Sequence, residues 1–228
     1  METSAFTCIL WDVDGTIADA SKGMFTRLTA VLEAFGHATP STAELALWMG
    51  PPMLESFQTR AGMSPEDAQA ALTQYRELAS RDGYASSVEL YPGVPEIVRA
   101  VAAAGIPQST ASTKPEVQVR AILEHFGLLP EFTAISGARS GPEGQLDSKA
   151  FVIERALERL AAAGADTSRP VLIGDRHHDV EGGAAHGIPV IFADWGFGLS
   201  EEAEAAAQHA MTPTELRGLI LTEAPVAS

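Results

Sequence analysis

Asp12 and Asp14 stand two residues apart at the end of an apolar run, Thr7-Cys8-Ile9-Leu10-Trp11. An extended chain alternates its side chains, so both carboxylates project to one side. A second apolar run, Val171-Leu172-Ile173, leads into Gly174-Asp175, and Asp179 follows one helical turn later. Carboxylates gathered in one place repel one another and need a cation. Oxygen-only ligands of this kind suit Mg²⁺, which keeps several waters and takes an oxygen from a phosphate group. The lysines are Lys22, Lys114 and Lys149 only. Lys114 follows Ser112-Thr113, and Lys149 opens a helical pattern after Asp147-Ser148. A lysine and a hydroxyl at strand ends can hold the oxygens of a phosphoryl group. One aspartate can attack phosphorus to form an acyl phosphate, and a second can protonate the leaving group and then deprotonate water.

Such residues need a sheet to position them. Four apolar runs read as short buried strands: residues 7–11, 132–135, 171–173 and 189–193. Helical patterns cover residues 93–104, 115–126, 148–163 and 180–186. This alternation predicts an α/β fold, a Rossmann-like parallel sheet with helices on both faces. Ligands of such sheets bind beyond the carboxyl ends of the strands. The interval from Gly15 to about Tyr91 departs from the pattern. It is helical throughout, with candidate helices at residues 22–35, 42–49, 53–61 and 65–80. Ser64 is a candidate N-cap for the last of these, with Pro65 in its first turn. The interval far exceeds the roughly 30 residues of a βαβ unit. It therefore predicts an inserted helical subdomain, residues 17–90, within a core of residues 1–16 and 91–228. The segment Gln108-Ser109-Thr110-Ala111 is polar where a core strand is apolar, which predicts an uncertain register or reduced burial. The Ala-rich stretch 203–210 predicts a surface helix.

Acidic residues number 30 against 15 basic, a formal net charge of −15. That balance argues against nucleic acid and anionic membranes as partners, and leaves room for a small anion in a locally positive pocket. A hydrophobic share of 46% is enough for a real core. A lone cysteine, Cys8, excludes an internal disulfide and a cysteine-rich zinc site. No apolar run approaches ~18 residues, and the first residues lack the basic and apolar regions of a signal peptide. The cytoplasm is the expected compartment. The oligomeric state is open, and a monomer is compatible with everything above.

The segment Asp12-Val13-Asp14-Gly15-Thr16 resembles the first signature of the haloacid dehalogenase superfamily. Ser112 resembles its second motif, Lys149 its third, and Gly174-Asp175 with Asp179 its fourth, all in the expected order. The inserted helices resemble the cap of the phosphoglycolate-phosphatase-like branch. So do Gly50-Pro51-Pro52-Met53-Leu54-Glu55-Ser56-Phe57, Tyr91-Pro92-Gly93 and Ile122-Leu123-Glu124-His125-Phe126-Gly127-Leu128. The resemblance implies a role for each matching residue. Asp12 is the implied nucleophile and a Mg²⁺ ligand. Asp14 is the implied general acid and base, with its backbone carbonyl on Mg²⁺. Ser112 and Lys149 hold the phosphoryl oxygens, with Thr113 and Lys114 as further phosphate-binding candidates. Asp175 binds Mg²⁺, and Asp179 lies in or near its shell. Gly15 permits the tight turn, the cap closes over the site, and Gly50-Pro51-Pro52 forms a cap loop facing it. The implied activity is Mg²⁺-dependent hydrolysis of a small-metabolite phosphate monoester through an aspartyl-phosphate, with phosphoglycolate, a nucleotide or a sugar phosphate as the ester.

A sugar phosphomutase would share the same motifs. Hydrolytic dehalogenases and phosphonate-cleaving members lack the second carboxylate that Asp14 supplies. A phosphoacceptor module of the receiver type would have no helical insertion and about half the length. His177 and His178 are expected outside the metal shell, because adjacent histidines need not face one side and Mg²⁺ prefers oxygen. Trp11 is expected in the core. Trp195 and Phe197 are divided between lining the entrance and packing.

Overall fold

The computed structural model describes residues 2–49, 52–141 and 143–223. Gly50 and Pro51, and with them most of the expected cap loop, lie outside that set. The chain divides into two compact units, Met1–Asp19 with Leu90–Ser228, and Ala20–Glu89. The division falls slightly inside the range 17–90 read from the sequence. Ile17 and Ala18 stay with the core because both N–H groups donate to the Val13 carbonyl, at 3.0 and 2.8 Å. The Tyr91 N–H donates to the Ile17 carbonyl at 3.1 Å, so the outgoing and returning chains meet side by side.

The inserted unit is helical: α1 Ser21–Ala34, α2 Thr42–Ala46, α3 Met53–Thr59 and α4 Pro65–Asp82. Ser41 starts α2 with a reciprocal cap. Its hydroxyl accepts the Glu44 N–H at 3.3 Å, and the Glu44 carboxylate accepts the Ser41 N–H at 2.8 Å. Ser64 caps α4 by accepting the Asp67 N–H at 3.1 Å. Helix α4 packs on both α1 and α3. Leu28, Val31, Leu32, Phe57, Ala71 and Leu72 are buried in this small core, and Trp48 meets Phe57 edge to face at 5.4 Å.

The first unit holds a parallel sheet of β1 Cys8–Trp11, β2 Gln108–Thr110, β3 Pro170–Gly174, β4 Val190–Ala193 and β5 Gln208–Ala210. The order is β5-β4-β3-β1-β2. Its helices are α5 Val94–Ala103, α6 Glu116–His125, α7 Lys149–Ala162, α8 His177–Ala185 and α9 Pro213–Ile220. Apolar strands covered on both faces explain the unbroken hydrophobic runs of β1, β3 and β4. In register, Trp11 lies opposite both Ile173 and Thr110. The residues that follow these three positions therefore emerge together at one end of the sheet. Among the described residues, no helix is long and apolar enough to cross a membrane.

Three sequence expectations change. The polar strand β2 is completely buried rather than less buried. It tolerates burial because its side chains are saturated. Gln108 accepts from the Trp11 indole N–H at 2.9 Å and donates to the Val98 and Glu131 carbonyls, each at 2.9 Å. The Thr110 hydroxyl donates to the Ser136 carbonyl and accepts the Ser136 N–H, both at 2.9 Å. The 203–210 stretch is not a helix. Ala203 ends a short 3₁₀ turn and is buried, and Gln208–Ala210 form the edge strand β5, paired with β4. Backbone pairing along an open sheet edge outweighs alanine's helix preference, because tertiary context overrides intrinsic propensity. Finally, residues 132–135 contribute one parallel bridge, Ser109 to Ala134, instead of a full strand.

Candidate active site

The site is built where β1 and β3 end. The Asp12 N–H donates to the Ile173 carbonyl at 2.8 Å, which keeps Asp12 aligned with the sheet for one residue more. The chain then turns sharply. Gly15 has a φ of +87°, and its N–H donates to the Ala18 carbonyl at 2.9 Å. A Cβ at position 15 would sit 2.1 Å from Asp175 Oδ2, so both the backbone angle and the space require glycine here.

Asp12, Asp175 and Asp179 are all buried, and their carboxylate oxygens lie within 4.8 Å of one another. Lys149, the first residue of α7, is buried among them. Its Nζ is 2.6 Å from Asp12 Oδ1 and 2.5 Å from Asp179 Oδ1. Ser148 fixes that helix start by accepting the Phe151 N–H at 3.2 Å. Asp179, in the first turn of α8, accepts with Oδ2 from the N–H groups of Asp175 and Arg176 at 3.1 and 3.0 Å. Asp175 accepts from the Thr16 hydroxyl at 3.1 Å and from the Phe197 N–H at 2.8 Å.

The charges in this cluster do not cancel. Burial, then the neighbouring charges of Asp179 and Asp12, push the Asp175 carboxyl well above the ordinary range. Burial also raises Asp179, against the opposing pull of Lys149. Burial alone would lower the Lys149 ammonium, but the charges of Asp12 and Asp179 outweigh it and hold Lys149 above its usual value. One ammonium thus faces three carboxylates in a dry setting. A divalent cation among those oxygens would remove the excess, and an all-carboxylate donor set is the kind that Mg²⁺ takes.

Asp14 stands apart from this cluster. Its Oδ2 accepts from Lys114 Nζ at 2.6 Å, and its buried Oδ1 has no hydrogen-bond partner among the described residues. Ser112 begins a short strand, Ser112–Pro115, paired in parallel with Gly137–Ala138. Its side chain is buried, and its Oγ accepts the Lys114 N–H at 3.3 Å. Thr113 is exposed, because alternation along the strand turns it to the side opposite Ser112. Of the two sequence candidates beside Ser112, the structure joins Lys114 to a site carboxylate and leaves Thr113 outside.

Sequence reasoning gave Thr16 no role of its own and left the loop after β4, with Trp195 and Phe197, divided between the entrance and packing. Trp195 donates its indole N–H to the Thr16 carbonyl at 3.2 Å. A Cβ at Gly196 would sit 2.4 Å from the Asp175 Cβ, and one at Gly198 would sit 1.9 Å from the Asp175 carbonyl oxygen. The loop therefore wraps Asp175 by its backbone. The available signal was a pair of alternate glycines just past a strand end. Beyond Asp175, Glu202 accepts from Arg176 Nε at 2.8 Å, from the His177 N–H at 3.0 Å and from His177 Nδ1 at 2.7 Å. Burial works the other way, but Arg176 and then His177 hold the Glu202 carboxyl down at about 2.

Comparison with known proteins adds relatives to this geometry. Residues 9–193 match the model of the haloacid dehalogenase-like hydrolases. The chain is 33% identical to the tyrosine-protein kinase PtkA of Mycobacterium tuberculosis, over 92% of this chain and 70% of that protein. It is 31% identical to a 5'-nucleotidase of Pseudomonas aeruginosa, over 86% of each. The crystal structure of a predicted phosphatase from Clostridium acetobutylicum superimposes with a TM-score of 0.84. That pair is 28% identical, covering 94% of this chain and 98% of the other.

Proposed function

The chain belongs to the haloacid dehalogenase-like hydrolase family and is a phosphatase of it, and on that premise we propose a Mg²⁺-dependent phosphomonoesterase that acts on a small phosphorylated metabolite through an aspartyl-phosphate. The observation that carries this reading is the arrangement of charge. Three buried carboxylates lie together with one lysine, which pairs with Asp12 and Asp179, while a fourth, Asp14, is held separately by a second lysine.

In this reading Asp12 is the nucleophile. Lys149 engages its Oδ1, leaving Oδ2 to attack phosphorus. The Asp12 O–P bond forms as the bond from phosphorus to the ester oxygen breaks. Asp14 gives its proton to the departing oxygen, so the product leaves as a neutral alcohol. Asp14, now a carboxylate, takes a proton from water as that water attacks phosphorus. The Asp12 O–P bond then breaks, and inorganic phosphate leaves. The Ser112 hydroxyl and the Lys149 ammonium hold phosphoryl oxygens through both steps. Asp12, Asp175 and Asp179, with the Asp14 carbonyl, would hold Mg²⁺, which supplies charge neutralisation at the phosphoryl oxygens. The helical insertion, in this scheme, selects the substrate.

A second reading is favoured by one comparison, the similarity to a protein named as a tyrosine kinase. It gives the phosphoryl group to an acceptor other than water, as a mutase would also do. The discriminating experiment is a panel of esters (phosphoglycolate, nucleoside monophosphates, sugar phosphates and an aryl phosphate) assayed with Mg²⁺ and ranked by kcat/KM. Release of inorganic phosphate, lost in Asp12→Asn, supports hydrolysis. Isomer interconversion or transfer from ATP to tyrosine, without net phosphate release, supports the second reading. Full activity in Asp12→Asn overturns the mechanism.

A further inference from the structure

Just outside the carboxylate cluster, three side chains on the exposed side of α8's first turns form a different donor set. His177, His178 and Glu181 each offer a ligand atom, and these atoms lie within 4.8 Å of one another. The two imidazole rings, expected outside the Mg²⁺ shell, lie together. Their centroids are 3.8 Å apart with the planes tilted by 43°. His177 begins the helix, where it is oriented by a residue from another element. The Glu202 carboxylate accepts from its Nδ1 at 2.7 Å and from its backbone N–H at 3.0 Å. A carboxylate can only accept, so Nδ1 carries the hydrogen, and in the neutral ring the lone pair lies on Nε2. A histidine whose second nitrogen is held by a carboxylate is the usual support for a metal ligand.

We propose that His177, His178 and Glu181 form a binding site for a late first-row divalent cation of the Zn²⁺ or Cu²⁺ type, separate from the oxygen-only cluster. Two imidazoles and one carboxylate make a three-ligand set that Zn²⁺ accepts with water as the fourth ligand, and that Mg²⁺ disfavours. His177 and His178 are partly exposed and Glu181 is exposed, so the ion reaches them from solvent. The Arg176 charge beside the site is taken up by Glu202, 2.8 Å away. The ion would be held on the same turn of α8 that carries Asp179, and it would stiffen that turn.

The test is equilibrium dialysis of the full chain with Zn²⁺ in a large excess of Mg²⁺, together with Cu²⁺ paramagnetic resonance. Expected are one retained Zn²⁺ per chain and a Cu²⁺ spectrum with nitrogen couplings. His178→Ala and Glu181→Gln should each weaken Zn²⁺ binding by more than tenfold, and Glu202→Gln by about tenfold through the loss of orientation. Asp175→Asn, which dismantles the oxygen cluster, should leave the nitrogen couplings unchanged. The proposal is overturned if no Zn²⁺ is retained, if Glu181→Gln and His178→Ala bind it as the parent does, or if Cu²⁺ shows oxygen ligands alone. None of these readouts depends on turnover, so they are separate from the phosphatase assays.

Discussion

Two buried polar regions, one within the sheet and one at its carboxyl end, are satisfied in opposite ways. Strand β2 buries Gln108, Ser109 and Thr110 with partners for each side chain. The cluster around Asp12, Asp175 and Asp179 buries three carboxylates with one ammonium. The first region is neutral and saturated, so its polarity is structural. The second is charged and undersupplied with cations, so it is stable only in company with something from solution. Burial alone separates nothing here, because both regions are equally hidden. The balance of donors and charges distinguishes a frame from a site.

The contrast can be broken by substitution. The largest effect is expected at the nucleophile. Asp12→Asn should lower aryl phosphate turnover by about 10³-fold or more while the protein stays folded, as read by kcat and by a thermal melt. EDTA should abolish turnover as fully, and restored Mg²⁺ should recover it and raise Tm by mass action. The next effect is in the frame. Gln108→Leu should destabilise by about 2–3 kcal/mol in a urea titration, because the Trp11 indole N–H and the Val98 and Glu131 carbonyls lose their partner. Its activity per folded molecule should stay near the parent's; a loss of kcat as large as that of Asp12→Asn would erase the distinction between the regions.

A subtler variant tests the charge argument by its sign. Asp175→Asn removes one of the three repelling carboxylates. Without metal it should match or exceed the parent in stability, by up to about 1–2 kcal/mol, while its turnover collapses. A metal-free variant less stable than the parent would count against excess charge as the defining property. The smallest effect is a pH dependence. Glu202 has a folded pKa of about 2 against an ordinary 4.5. Its stabilising contribution is therefore complete above about 4.5 and declines as the pH falls toward 2. Glu202→Gln should flatten that limb of the stability curve and cost about 1 kcal/mol near neutrality.

Much of the fold was legible because its signals are local. The apolar runs of β1, β3 and β4 and the helical periodicity of α1 and α4 follow from spacing alone. The placement of Asp12 and Asp175 at strand ends, and of Lys149 at a helix start, is equally local. What stayed hidden depends on distant partners. Strand β2 looks too polar until Trp11, Val98, Glu131 and Ser136 are brought to it. The helix expected over 203–210 gives way to an edge strand because the backbone of β4 offers pairing that no window of sequence displays. Thr113 and Lys114 look equivalent beside Ser112 until strand alternation parts them. The need for glycine at 196 and 198 shows only once Asp175 fills the space where their side chains would be.

The hydrogen bond from Tyr91 to Ile17 has a consequence in chain entropy. It pins together the two ends of the Ala20–Glu89 insertion. To the core, the insertion is then a closed loop whose content is thermodynamically almost invisible. Closure free energy grows only logarithmically with length, by about 0.6 kcal/mol per doubling. An eightfold shortening, three halvings, changes it by only about 2 kcal/mol. A helical insertion of a different size could therefore replace this one with little entropic penalty to the unit that carries the carboxylates.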